Sequence, residues 1–85
     1  MKTDKIIYPL VVVYDRYMGT YSGGQWVALN CYPEDVPEAI FGDDSECFDF
    51  WMRWNERKGR SVIPIAVGNT CEEAIEKLRE FIAQH

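Results

Sequence analysis

At 85 residues with a formal net charge of −5, the chain has room for one domain and no second core. An apolar fraction of 47% excludes disorder, and the acidic balance argues against direct binding to nucleic acid or anionic membranes, which draws on excess Lys and Arg. No stretch approaches the ~18 apolar residues that a membrane span needs.

A single domain of this size buries only roughly 60–65% of its unfolded surface. The high aromatic share of 14%, Trp26, Trp51 and Trp54 included, compensates by supplying large buried areas. Cys31, Cys47 and Cys71 are odd in number and form no Cys-x-x-Cys pair. The opening MKTDKIIYPLVVVYD has a short apolar run ended by Asp15 and no small-residue cleavage site. The expectation is a cytoplasmic protein with reduced, mostly buried thiols.

In chain order, residues 6–14, IIYPLVVVY, are β-branched and apolar at successive positions, which predicts a strand covered on both faces. Ile6, Tyr8, Leu10, Val12 and Tyr14 share one face; Ile7, Pro9, Val11 and Val13 share the other. Pro9 has no N–H to donate, so that end belongs at a sheet edge or a strand start. DRYMGTYSGG, residues 15–24, is a turn region whose glycines permit positive φ and whose Asp15 and Ser22 offer local hydrogen bonds. QWVALNC, residues 25–31, reads as the returning strand of a hairpin.

Residues 32–44 are broken by Pro33, Pro37 and Gly42, with room for a short helical turn near 34–40. A helix then opens at Asp43, Asp44 or Ser45, all good N-caps, and stops before Gly59. Phe48, Trp51 and Trp54, with Cys47 and Asn55 beside them, define its expected buried stripe. SVIPIAV, residues 61–67, is a third strand that Pro64 confines to an edge or bulge. Thr70 and Glu73 form a capping box for the last helix, whose apolar face is Ala74, Ile75, Leu78, Phe81 and Ile82. The expected fold is α+β, one domain over 1–85: a small antiparallel sheet of about three strands with two main helices packed on it, in the order β-β-α-β-α. A sheet this small has one face to spare. The 32–44 segment, a second copy in a homodimer, or a partner should cover it.

Catalytic constellations are hard to find. The single histidine is His85, which removes most routes to a Ser-His-Asp or Cys-His arrangement. GTYSGG lacks the Gly-Lys-Ser/Thr ending and the following helix of a P-loop. Asp43 and Asp44 suit a helix cap better than a metal pair. The expectation is a protein that is not an enzyme and carries no metal or cofactor.

Charge is unevenly placed. From Tyr17 to Met52 there is no Lys or Arg, while Glu34, Asp35, Glu38, Asp43, Asp44, Glu46 and Asp49 fall in that stretch. One reading is a solvated face that keeps the protein soluble; the other is a surface for a basic protein partner. Arg53, Arg57, Lys58 and Arg60 gather at the far end of the same helix, making the domain bipolar or complementing the helix dipole. The hairpin loop adds Arg16, Tyr17, Met18 and Tyr21, residue types enriched in interface hot spots. The candidate partner-binding set is Arg16, Tyr17, Tyr21, Glu34, Asp35, Glu38, Asp43, Asp44 and Glu46.

Two resemblances bear on these residues. GNTCEEAIEKLREFI, residues 68–82, resembles the strand-turn-helix end of HicB-type antitoxin domains, in which a G-(D/N)-T-x-E-E-A-x pattern opens the helix; it covers under a fifth of the chain and implies a toxin-neutralising regulatory partner. YDRYMGTYSGGQWVALN with DVPEAIFGDD is similar to short hypothetical proteins of phages and mobile elements. Small acidic proteins of such elements include inhibitors of host defence, anti-CRISPR proteins among them. That resemblance implies an inhibitor of a host nuclease or defence complex, acting on a basic surface that otherwise holds nucleic acid. An antitoxin-like partner and a structural homodimer module are the alternatives.

Overall fold

The computed structural model of the chain describes residues 8–56 and 63–84. Three strands, β1 (Val11–Tyr14), β2 (Trp26–Leu29) and β3 (Ile65–Gly68), form an antiparallel sheet in the order β1-β2-β3, with helices α1 (Asp44–Glu56) and α2 (Cys71–Gln84). This is the expected α+β arrangement. Two 3-10 turns, Pro33–Asp35 and Glu38–Phe41, occupy the segment for which the sequence offered one helical turn.

β1 begins at Val11. Before it, the carbonyl of Pro9 accepts from the Asn30 side-chain amide at 2.8 Å, while the Asn30 backbone N–H donates to Pro64 O at 3.0 Å. Asn30 thus joins the chain entering β1 to the chain entering β3, and both prolines sit just outside their strands, where a missing N–H costs nothing. Both are edge strands, as Pro9 and Pro64 required.

Alternation along the strands sorts side chains onto two faces. Val11, Val13, Val27, Leu29, Ile65 and Val67 face one way and pack with Ile40, Cys47 and Trp51. Val12, Ala28 and Ala66 face the other and pack with Ala74 and Leu78 of α2. The helices therefore lie on opposite sides of the sheet. The spare face is covered from within the chain, by Ile40 of the 32–44 segment together with Cys47 and Trp51 of α1. Cover is thinnest over β1, where Tyr14 stays exposed with its ring edge-on to Trp26 at 5.2 Å.

The two sides pack differently. α1 reaches the sheet through one large side chain: Trp51 is fully buried, with the Phe50 and Trp54 rings edge-on at 5.0 and 5.2 Å. α2 lies close, because alanines and a glycine face it. A Cβ on Gly68 would sit 2.6 Å from the backbone nitrogen of Ala74, so only glycine admits the helix at that height. Its N-terminus is capped largely as expected: Glu73 N–H donates to Thr70 Oγ1 at 3.0 Å, but the Glu73 carboxylate accepts from Asn69 N–H at 2.7 Å, one residue earlier than the standard box.

One assignment on α1 needs correction. Cys47 and Trp51 are buried, but Phe48 is 46% exposed and Asn55 is exposed. The helix meets the sheet on the narrow Cys47–Trp51–Trp54 line, and Phe48 falls one residue around the cylinder from it. Arg57, Lys58, Arg60 and His85 lie outside the described residues, as do Ile6 and Ile7 of the predicted first strand.

Gly68→Ala should destabilise the domain by about 2 kcal/mol, the scale of overpacking a close contact. Urea unfolding followed by tryptophan fluorescence measures this; an unchanged midpoint would mean that α2 does not rest on the sheet at Gly68.

Candidate functional site

The hairpin loop is built around Asp15, which is only 2% exposed. Its Oδ2 accepts from the Gly19 N–H at 2.6 Å and lies 3.1 Å from the Ser22 hydroxyl, whose single proton is shared with Gly24 O at 2.9 Å. Successive tight turns wrap around this carboxylate, with Met18 N–H donating to Asp15 O and Gly23 N–H to Gly19 O, both at 3.0 Å. Met18 and Gly19 take positive φ, 54° and 88°. A Cβ at Gly19 would come within 2.9 Å of the Gly24 carbonyl carbon, so glycine is needed there on both counts.

A loop wound this way leaves Arg16 exposed and sets Tyr17 and Tyr21 half-buried against the core. Arg16 donates from one guanidinium nitrogen to Phe41 O at 2.9 Å and Gly42 O at 2.8 Å. These carbonyls close the second 3-10 turn, where a cation is favoured. The same guanidinium carbon lies 5.6 Å from the Tyr17 ring centroid, a cation-π distance. The Tyr21 hydroxyl donates to Asp44 Oδ1, and its ring continues a chain of aromatics, 5.9 Å from Tyr17 and 5.4 Å from Phe48. The loop and the start of α1 are one surface.

α1 opens with a reciprocal cap. Glu46 N–H donates to Asp43 Oδ1 at 2.9 Å, and Asp43 N–H donates to Glu46 Oε1 at 3.2 Å. Both carboxylates remain exposed, so they cap the helix and present negative charge together. Past the cap, Asp44, Phe48, Met52 and Glu56 recur every fourth residue, all exposed, along a ridge that turns by about 120° around the helix from first to last. Phe41, 52% exposed, adds a further apolar group where Arg16 is anchored.

Of the candidate residues, Arg16, Tyr17, Tyr21, Asp43, Asp44 and Glu46 converge on this junction, and Glu38 belongs to the 3-10 turn that packs on α1. Glu34 and Asp35 belong to the first 3-10 turn and enter none of the contacts that join the loop to α1; both are exposed, near Cys31. Sequence reasoning missed Phe41, Phe48 and Met52. The signal was present in the four-residue spacing of Phe48 and Met52, which makes them neighbours on the helix surface. Arg53 is paired with Asp49 at 3.3 Å.

Titration follows the geometry. Tyr21 has its pKa raised, first by its hydrogen bond to the Asp44 carboxylate and then by desolvation. Burial raises the Cys31 thiol, with Asp35 and Glu34 adding to it. It raises Cys47 too, with Asp15 adding and Arg16 opposing. Raised thiols are poor nucleophiles at neutral pH. Among the described residues, no group of three His, Cys, Asp or Glu is placed to hold a metal ion, and no helix is long and apolar enough to cross a membrane. No family model, curated protein or solved structure matches the chain.

Asp15→Ala should cost about 2 kcal/mol, because it strands the Gly19 N–H while the Ser22 hydroxyl keeps Gly24 O. It should also broaden the amide resonances of the loop; a sharp, unshifted loop spectrum would show that the turn holds without the carboxylate. Tyrosinate absorbance should reveal one tyrosine titrating above the ordinary range, with its folded form favoured until the pH passes that raised pKa. Asp44→Asn removes the carboxylate that is the largest cause of the shift and should move the Tyr21 step to lower pH; a step unmoved in the variant contradicts the assignment to Asp44.

Proposed function

We propose that this chain is a non-catalytic acidic binding protein that engages a basic surface of a protein partner through the face built by the hairpin loop and the start of α1. The observation that carries the reading is the convergence of Asp43, Asp44 and Glu46, all exposed, with Arg16, Tyr17 and Tyr21 on a loop wound around a buried carboxylate. A contact surface already held in one conformation loses little entropy on binding, and its excess of carboxylates speeds encounter with a basic partner. The partner is a nucleic-acid-handling protein, and the chain inhibits it by occupying the surface that otherwise holds nucleic acid. The likeness to short proteins of phages and mobile elements supports taking that partner to be a host nuclease or defence complex.

The decisive experiment must neutralise the acids without breaking the cap. Asp43→Asn, Asp44→Asn and Glu46→Gln together keep hydrogen-bonding groups at every position while removing three charges. Capture from nuclease-treated host lysate should return one basic nucleic-acid-handling protein, released as salt rises. The triple variant should bind it about 100-fold more weakly, at the lower end of what close charge pairs contribute. Equal affinity for the variant would remove the electrostatic account, and recovery of a small toxin instead would favour the antitoxin-like role.

A further inference from the structure

β1 is the open edge of the sheet. The other edge strand, β3, is closed, with Ile65 and Ala66 only 2% and 7% exposed, whereas Val11, Val12 and Val13 are half-buried and Tyr14 is 47% exposed. The register with β2 fixes where the backbone groups of β1 point. Asp15 N–H donates to Gln25 O at 2.7 Å, and the two residues stand opposite each other in the continued ladder. Val11, Val13 and Asp15 therefore turn their N–H and C=O groups toward β2. Leu10, Val12 and Tyr14 turn theirs outward, and among the described residues no hydrogen bond reaches them. Sheets ordinarily protect such an edge with a Lys, a proline, a bulge or a covering segment. The stretch Leu10-Val11-Val12-Val13-Tyr14 holds no charge and no proline, and its ladder with β2 has no bulge. Pro9 lies before the stretch; Asp15, after it, is turned inward and buried.

We propose that a second copy of this chain pairs along this edge, β1 antiparallel to β1, so that two sheets become one. The outward groups admit only registers in which even-numbered residues oppose even-numbered ones. The register centred on Val12 keeps the whole uncharged stretch inside the contact. Val12 then lies on the two-fold axis opposite Val12 of the second copy, Leu10 opposite Tyr14, and Val11 opposite Val13. Leu10, Val12 and Tyr14 exchange N–H to C=O bonds across the axis. Centring on Val13 instead would set Val11 against Asp15 and Leu10 against Arg16. The Tyr14 ring, which its own chain leaves exposed, gains Leu10 of the copy as a cross-strand neighbour.

The state of the two faces selects this occupant. A lone extended peptide added here would be a new outermost strand with nothing over either side. A second copy arrives with its β1 already packed on both faces, Val11 and Val13 toward the Trp51 layer and Leu10 and Val12 toward α2. The two-fold then sets like layer beside like. Phosphates and basic side chains gain nothing from an uncharged edge. The contact is short, which places it among weak interfaces. Each chain carries a formal net charge of −5, whose repulsion opposes pairing and is screened by salt. The edge shares no residue with the acidic face assigned to the partner, and salt moves the two contacts in opposite directions.

Sedimentation equilibrium of the full chain from about 10 µM to about 1 mM should show a monomer–dimer equilibrium with a Kd on the order of 100 µM. Added salt should tighten it several-fold. In a mixture of isotope-labelled and unlabelled chain, filtered NOE spectra should connect Val11 Hα of one copy with Val13 Hα of the other, the close pair that this register creates. Tyr14→Lys, at an exposed position, should weaken the dimer about tenfold, because it removes two symmetry-related cross-strand pairs and puts a protecting charge on the edge. An unchanged unfolding midpoint shows that the variant folds; if it does not fold, the filtered contact in the unaltered chain still decides. A chain that stays monomeric throughout that range, a dimer without the Val11–Val13 contact, or a dimer of full strength in the folded variant would overturn the proposal. A monomer whose β1 amides shift on adding a lysine-flanked peptide of the Leu10–Tyr14 sequence would also overturn it, and would give the edge to a strand of another protein.

Discussion

A carboxylate taken out of water must be compensated by hydrogen bonds or by charge. The Asp15 carboxylate, at the exit of β1, finds its hydrogen-bond partners among the described residues within the next seven positions, in the Gly19 N–H and the Ser22 hydroxyl. That local solution determines the path of the loop, and the path determines where Arg16 and Tyr21 emerge. Arg16 then closes the 3-10 turn before α1, and Tyr21 meets the first turn of α1 itself. Two segments more than twenty residues apart in the chain become one surface because a single acid cannot be left unsatisfied.

The sheet beneath that surface has only three strands of four residues each, too short to be stable with one face wet. Its faces are closed by unlike means. Toward α2, Ala28, Ala66, Gly68 and Ala74 bring backbone close to backbone; toward α1, the fully buried indole of Trp51 fills a deeper layer with Val27, Leu29 and Ile65. The indole N–H groups of Trp51 and Trp54 find no hydrogen-bond partner among the described residues, a penalty that their large apolar area offsets.

Much of this was legible in the sequence because it is local. Alternating β-branched residues gave β1 both of its apolar faces, Thr70 and Glu73 marked the start of α2, and Asp15 and Ser22 were recognised as turn-forming side chains. What stayed hidden depends on long-range geometry. Periodicity cannot say which of several apolar helix residues faces a sheet, so Phe48 was read as core; on a helix that touches its sheet mainly through Trp51, a one-residue rotation decides the matter. The union of the loop with Asp44 spans 23 residues of sequence, and no spacing rule reaches that far. The acids of 34–46 read as one run, yet in space Asp43, Asp44 and Glu46 gather at the junction with the loop while Glu34 and Asp35 stand apart from it.

The contrast between the two faces of the sheet also sets which parts of this protein can change over time. Where Gly68 admits the backbone of Ala74, almost any substitution on one side demands a matching one on the other, so that layer can be inherited only as a block. The outer side of α1 answers to no such constraint. Away from the Asp43–Glu46 cap and the Tyr21 contacts of Asp44 and Phe48, its exposed positions can be rewritten singly while the indole behind them holds the helix in place, so a lineage of such chains could exchange one partner for another without passing through an unfolded ancestor.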